Sequence, residues 1–268
     1  MSEDPPKVVL TIAGFDPSSG AGITADLKTI AAHHLYGVAC ITALTVQSTQ
    51  GVRRVQPIDS RLVRETLETL VADVSPAAVK IGMLGDVGVA EVVADFLSSA
   101  SLGNVVLDPV LRLSSGARLL DATGFRTLGS RLLVGVDVIT PNLEEAGLLA
   151  DVEVRNLDSA RAAARNLVER GAKAVVVTGG HLEEVADVLA ERKPNGSIEL
   201  QVFPGEKVET ANTHGTGCAF STAVACNLAL GLALGDAVQL AKAYVTQALK
   251  TSYTVGKGVS PVNHLFRK

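Results

Sequence analysis

Residues 212–218 read Asn-Thr-His-Gly-Thr-Gly-Cys, and small side chains follow from Ala219 to Ala225. Gly215 and Gly217 let the backbone turn tightly and come close to a bound group. The small apolar residues from Ala219 to Leu230 predict a helix, which places both glycines at its start. The first turn of a helix carries unpaired N–H groups and a partial positive charge, and together these favour an anion. A phosphate fits, as does the negative charge that develops while a phosphoryl group is transferred. Cys218 falls in the same turn, where a thiol's pKa is expected to be lowered so that it can accept a proton. A plain glycine turn followed by a buried cysteine would carry the same letters, so these residues alone leave both readings open.

Other polar groups cluster at the ends of apolar runs. Lys7–Ala13 reads as a strand buried on both faces, followed by Gly14-Phe15-Asp16-Pro17-Ser18-Ser19-Gly20-Ala21-Gly22. Gly20 to Ala25 imitates a dinucleotide-binding G-x-G-x-x-A. The first glycine lies too far beyond the strand, however, and the next strand lacks a terminal acid, so that reading is rejected. Gln47 follows the strand Val38–Val46; its amide can both donate and accept, which suits an amino-pyrimidine edge, although a surface turn would also hold it. Asp108 closes the strand Val105–Leu107 and is either a metal or phosphate ligand or a turn former. Glu145 near a helix start serves the helix dipole or reaches a magnesium ion from the second coordination sphere. Ser114-Ser115-Gly116 is a candidate flap.

Strands and helices alternate almost throughout. Further strands are expected at Ala78–Ile81, Val134–Thr140 and Ala174–Val177, with a hairpin about Lys193-Pro194-Asn195-Gly196. Helices are expected at Ile23–His34, Ser60–Val74, Asp86–Leu97, Ser159–Arg170 and Gly235–Tyr253. This pattern implies an α/β fold with one doubly wound, mostly parallel central sheet carrying helices on both faces, in a single domain over residues 1–268. The ligand-like loops all follow strands and so share one edge of the sheet. Hydrophobic residues make up 47% of the chain, ample for such a core, and the net charge of -4 argues against a nucleic-acid surface. Cys40, Cys218 and Cys226 have no metal-binding spacing. With no signal peptide and no apolar run long enough to span a bilayer, the expectation is a cytoplasmic protein without membrane contact.

Taken together, several segments resemble the hydroxymethylpyrimidine/phosphomethylpyrimidine kinases of the ribokinase-like superfamily. They are Gly14 to Thr29, Ile41-Thr42-Ala43-Leu44, Lys80-Ile81-Gly82-Met83, Asp108-Pro109-Val110, Thr140-Pro141-Asn142, Asn212 to Cys218, and Pro261-Val262-Asn263-His264. The resemblance implies a ribokinase-like fold, commonly dimeric, that uses ATP and Mg2+ on a small-molecule substrate. It implies that Gly14, Asp16, Gln47, Met83 and Val110 line the pyrimidine pocket, with Gln47 on the ring's amino edge. It also implies that Asn142, Thr178, Gly179, Thr213 and Thr216 serve ATP, that Asp108 and Glu145 serve the metal, and that Gly215, Gly217 and Cys218 form a catalytic anion hole. Phe15 stands where a small Ser or Thr is usual, Ser19 replaces a Gly, Thr24 a Gln, Leu111 a Met and Ser260 a Gly. The implied activity is phosphorylation of the hydroxymethyl group and then of the monophosphate, in thiamine biosynthesis. A vitamin B6 kinase on the same scaffold, or a non-catalytic pyrimidine-binding protein, are the alternatives.

Overall fold

The computed structural model describes residues 5–111 and 131–266, so the candidate flap at Ser114–Gly116 lies outside the described residues. A nine-stranded sheet runs through the molecule in the order β3-β2-β1-β4-β5-β6-β7-β8-β9. Its strands are β1 (Val8–Phe15), β2 (Tyr36–Ser48), β3 (Gly51–Pro57), β4 (Ala78–Ile81), β5 (Val105–Leu107), β6 (Val138–Ile139), β7 (Ala174–Val177), β8 (Ala186–Arg192) and β9 (Ile198–Pro204). β2, β1, β4, β5, β6 and β7 pair in parallel, whereas β3, β8 and β9 join antiparallel.

The described helices are α1 (Gly22–Ala32), α2 (Ser60–Asp73), α3 (Val87–Ser99), the single turn α4 (Leu133–Gly135), α5 (Leu143–Ala150), α6 (Leu157–Glu169), α7 (Thr216–Ala229) and α8 (Leu234–Lys250). Strand alternation divides the apolar residues between two cores. Leu10, Ile12, Val79 and Ile81 face α2, α3, α5 and α6. Val9, Ala78, Val106 and Val176 face α1, α7 and α8. The central strands read as unbroken apolar runs because both faces are covered. α7 is buried nearly all round, from Ala219 to Cys226 without interruption, which explains its run of small residues: only short side chains let a helix lie this close to the sheet and to α8.

Local chemistry sets several boundaries. Asp86 caps α3 by accepting from the Val89 amide at 2.9 Å, and Asn142 and Glu145 form a reciprocal capping box on α5. Two expectations need correction. Val134–Thr140 is not one strand: α4 occupies its start, and the Asp137 carboxylate accepts from the Val105 amide at 2.9 Å, so pairing as β6 begins only at Val138. The chain after Gln47 is not a simple strand end. β2 turns over Thr49-Gln50 into β3 and makes an antiparallel ribbon. β1 stops pairing at Leu44, so Thr45–Ser48 extend beyond it, with β3 as their strand partner. No helix among the described residues is long and apolar enough to cross a membrane.

Candidate functional site

A cavity of about 240 Å³ opens at the carboxyl edge of the parallel strands. Gly14 and Asp16 enter it from the end of β1, Met83 from β4, Asp108 and Val110 from β5, Asn142 from β6 and Thr178 from β7. Gln47 and Thr45 reach it from the β2–β3 ribbon. Gly215, Gly217 and Cys218 close it from the start of α7, and Glu145 completes the wall. An open α/β sheet forms its ligand crevice where successive loops leave the carboxyl ends of its strands. Most of the expected site residues are therefore brought together. Gly179, Thr213 and Thr216 are not part of the cavity wall. Thr213 is exposed beside the cavity, and Thr216 donates its hydroxyl to the Thr213 carbonyl at 2.7 Å. The Gly179 amide donates to Asp187 at 2.9 Å, and Asp187 is held in turn by Lys242 at 2.8 Å. A direct phosphate contact from that amide is thus not on offer. Beyond Lys242 an open groove of about 640 Å³ runs between β9 and α8.

The glycines are used for close approach. Gly215 caps α7 in the left-handed region at φ 79°, and a Cβ there would run into the Gly20 carbonyl. A Cβ on Gly14 would meet the Met83 methyl. No side chain among the described residues caps α7; the Thr216 amide donates to the Thr213 carbonyl at 3.3 Å, while Gly217 and Cys218 line the cavity at the helix start, as an anion site requires. Around Gly217 the space a Cβ would fill is empty.

Beneath the cavity lies a charge cluster that sequence reading did not assign. Lys80 is fully buried and lies 3.0 and 3.1 Å from the two Asp26 oxygens and 3.9 Å from Asp108. Asp26 also accepts from Thr11 at 2.6 Å and Thr222 at 2.8 Å. Burial alone would lower the Lys80 ammonium, but the adjoining Asp26 and Asp108 carboxylates outweigh it and keep it charged. A lysine inside the otherwise apolar strand Ala78-Val79-Lys80-Ile81 was the available sign, since such a charge is buried only when paired.

Burial raises Asp108, with the Asp26 charge adding to it, against Lys80 and hydrogen bonds from Ser221 and Cys218. Glu145 is pushed up to about 8 by burial and by the Asp108 charge, although the Asn142 amide donates to it at 2.9 Å. The two acids thus form a strained like-charge pair on the cavity wall. The expectation of a lowered Cys218 thiol is overturned. Burial, with the Asp108 and Asp26 carboxylates nearby, pushes it up to about 12, and Lys80 pulls the other way without prevailing. The helix start is real, but desolvation and two acids outweigh it. On the ribbon side, burial raises Asp16, yet hydrogen bonds from His214 at 2.8 Å and from Ser18 hold it below its usual value.

A sequence model of the phosphomethylpyrimidine kinase family matches residues 16–263. The hydroxymethylpyrimidine/phosphomethylpyrimidine kinase of Salmonella typhimurium is 43% identical over 260 residues, 95% of this chain and 96% of that one. The solved phosphomethylpyrimidine kinase of Clostridium difficile superposes with a TM-score of 0.80 at 34% identity, covering 91% of this chain and 100% of that one. The ADP complex of Bacillus subtilis pyridoxal kinase superposes with a TM-score of 0.87 at 35% identity, covering 97% of each chain.

The Lys80–Asp26 pair yields a stability test. Lys80→Ala leaves Asp26 buried without its cation and is expected to cost about 3–5 kcal/mol, read as a lower urea midpoint. The paired change Asp26→Asn with Lys80→Met removes both charges and is expected to be milder than Lys80→Ala alone. A wild-type midpoint for Lys80→Ala would remove the pair from this role.

Proposed function

This chain belongs to the phosphomethylpyrimidine kinase family, and on that premise we propose that it uses ATP to phosphorylate 4-amino-5-hydroxymethyl-2-methylpyrimidine and then the resulting monophosphate, in thiamine biosynthesis. The observation that carries this reading is one cavity, sized for a small ring, with the Gln47 amide on one side and the uncapped start of α7 on the other. Gln47 pairs with the ring's amino edge, while Gly14, Asp16, Met83 and Val110 surround the ring. The amides of Gly215, Gly217 and Cys218 take the charge that grows on the transferred phosphoryl oxygens. Asn142 and Thr178 border the phosphate chain, with Thr213 and Thr216 outside the wall. Gly179 acts indirectly, through Asp187 and Lys242, at the mouth of the groove that receives the rest of the nucleotide.

Asp108 and Glu145 fit a magnesium ion: both are oxygen donors held above their usual pKa by burial, Asp108 also by the Asp26 charge and Glu145 by the Asp108 charge, a penalty a cation relieves. When bound, Mg2+ supplies positive charge against the phosphates. Cys218, protonated in this site, hydrogen-bonds Asp108 and shapes the turn rather than resting as a thiolate. We read residues 1–268 as one kinase domain of a cytoplasmic homodimer; Tyr36, Leu44 and Val46 leave an apolar strip exposed on β2 that a second copy would cover.

A coupled assay is expected to show magnesium-dependent ATP consumption with this pyrimidine, yielding a monophosphate and then a diphosphate, and none with EDTA. Far higher kcat/KM with pyridoxal would instead make the chain a vitamin B6 kinase, as the likeness to the Bacillus enzyme allows. Binding without turnover would make it a binding protein. Gln47→Leu is expected to lose about 1–3 kcal/mol of apparent binding to the amino-pyrimidine and less to pyridoxal; equal losses would remove Gln47 from ring selection. Cys218→Ala, which removes the hydrogen bond to Asp108 and the packing of the turn, is expected to slow both phosphorylations to a similar degree with KM for ATP near normal; a first step slowed far more than the second would instead make Cys218 the acceptor of the hydroxyl proton. Equal rates for variant and wild type in both steps would leave the backbone amides as the catalytic element.

A further inference from the structure

The amide of Gln47 sits in a network that favours one orientation over the other. One end lies 3.3 Å from His214 Nε2 and the other 3.2 Å from Thr45 Oγ1. An amide's oxygen and nitrogen are nearly alike in size, so their partners decide which is which. His214 Nε2 also lies 2.8 Å from the Asp16 carboxylate, which can only accept, so Nε2 carries a proton. Thr45 has one hydroxyl proton and two neighbours that could take it; the Phe15 carbonyl at 2.9 Å is nearer than the Gln47 amide at 3.2 Å, so with the proton on Phe15 Oγ1 faces Gln47 as an acceptor. With its NH2 toward His214, Gln47 would oppose donor to donor there and acceptor to acceptor at Thr45. The reverse placement opposes no like groups: the Gln47 NH2 donates to Thr45 Oγ1, and its carbonyl shares the Nε2 proton that also goes to the nearer Asp16.

We infer that Thr45 and His214 are positioning residues that lock the Gln47 carbonyl toward His214 and its NH2 toward Thr45, and so fix the order of acceptor and donor presented to the substrate ring. The inference rests on the pyrimidine reading for its consequence, though the network exists without any substrate. The lock is well anchored. The Thr45 end lies on the ribbon beyond β1, and the His214 backbone is clamped by the tail, its amide donating to Ser260 at 3.1 Å and its carbonyl accepting from Val262 at 3.2 Å. Asp16, which holds the His214 proton, is itself fixed by the amides of Ser18 and Ala21 at 2.8 and 2.9 Å. Neither Thr45 nor His214 needs to touch the ring. A 4-amino-pyrimidine offers a donor beside an acceptor ring nitrogen and matches the locked amide. The 4-oxo analogue offers an acceptor beside a ring N–H and requires the amide reversed, which the lock forbids.

Two measurements test this. In the NMR spectrum of the wild-type protein, the Gln47 side-chain NH2 protons are expected to show a cross-peak to the Thr45 methyl; a cross-peak to the His214 ring in its place overturns the lock. In turnover, wild type is expected to prefer the 4-amino over the 4-oxo pyrimidine by about 100-fold or more in kcat/KM. Thr45→Val removes the acceptor while keeping the shape, and is expected to shrink that preference about tenfold. Thr45→Ser, which keeps the hydroxyl, is expected to retain it. A merely structural role would lower both substrates together and leave the ratio unchanged, and that result overturns the lock. If neither pyrimidine is turned over while the NMR contact is present, the pyrimidine reading fails and the lock stands.

Discussion

The buried pair of Lys80 and Asp26 is the interaction on which the site depends. Taking two charges out of water costs several kcal/mol per ion, and mutual attraction offsets this only when the remaining hydrogen-bonding capacity is also filled. Here it is filled: both Asp26 oxygens face Lys80, and Thr11 and Thr222 add a hydroxyl to each side. These partners come from β1, α1, β4 and α7, so one carboxylate fastens the helix whose start faces the cavity to the strands whose ends form its floor. A well-packed apolar group would hold such a junction at least as firmly. The charge matters for what lies above it. Asp108 and Glu145 set two acids, both held above their usual pKa, on one wall, and a phosphoryl donor brings negative charge beside them. Lys80 lies 3.9 Å from Asp108 and is the cation beneath that wall.

Precision at the anion site comes from backbone contacts instead of side chains. The loop after β1 and the turn before α7 are almost two hundred positions apart in sequence, yet meet where Gly215 lies against the Gly20 carbonyl and Gly20 against the His214 ring. A side chain at either position would part the two loops. The α7 amides are therefore aimed by a rigid junction, with no side chain to reorganise as charge moves, which is the condition for electrostatic stabilisation to be effective.

Much of this was readable in the sequence because it is local. The strands Ala78–Ile81, Val105–Leu107 and Ala174–Val177 stand between turn residues and were bounded as they occur. Asp86 and Lys193-Pro194-Asn195-Gly196 carry cap and hairpin chemistry that holds wherever the segment lies. The misreadings arise where distant groups decide. Val134–Val136 look like strand by composition, but pairing is interrupted there by the Asp137 carboxylate. β3, with Arg53 and Arg54 in its middle, has too little alternation to read as a strand until β2 supplies its partner. The Cys218 thiol was judged from its helix alone, whereas its ionisation is set by burial and by acids from β5 and α1.

The residues that depart from the family pattern do not carry equal weight. Ser19 adopts φ 63°, a left-handed conformation open to glycine without strain and costing another residue on the order of 1 kcal/mol. The loop absorbs that cost without changing course. Lys28 donates to the Ser19 carbonyl at 2.8 Å, the Ser19 amide donates to Asp16 at 3.0 Å, and Asp16 still gathers the amides of Ser18, Gly20 and Ala21. A glycine in this place would relax the backbone and leave the same ring of donors around Asp16. Phe15 is different, because it lines the cavity while its backbone is pinned, paired to Leu44 and accepting from Thr45. With the backbone pinned, a change of side chain at this lining position is met at the cavity wall and not by a shift of the loop. Phe15→Ser is therefore expected to change the kcat/KM ratio between pyrimidine and pyridoxal more than Ser19→Gly does, and steady-state kinetics of the two variants on both rings checks it.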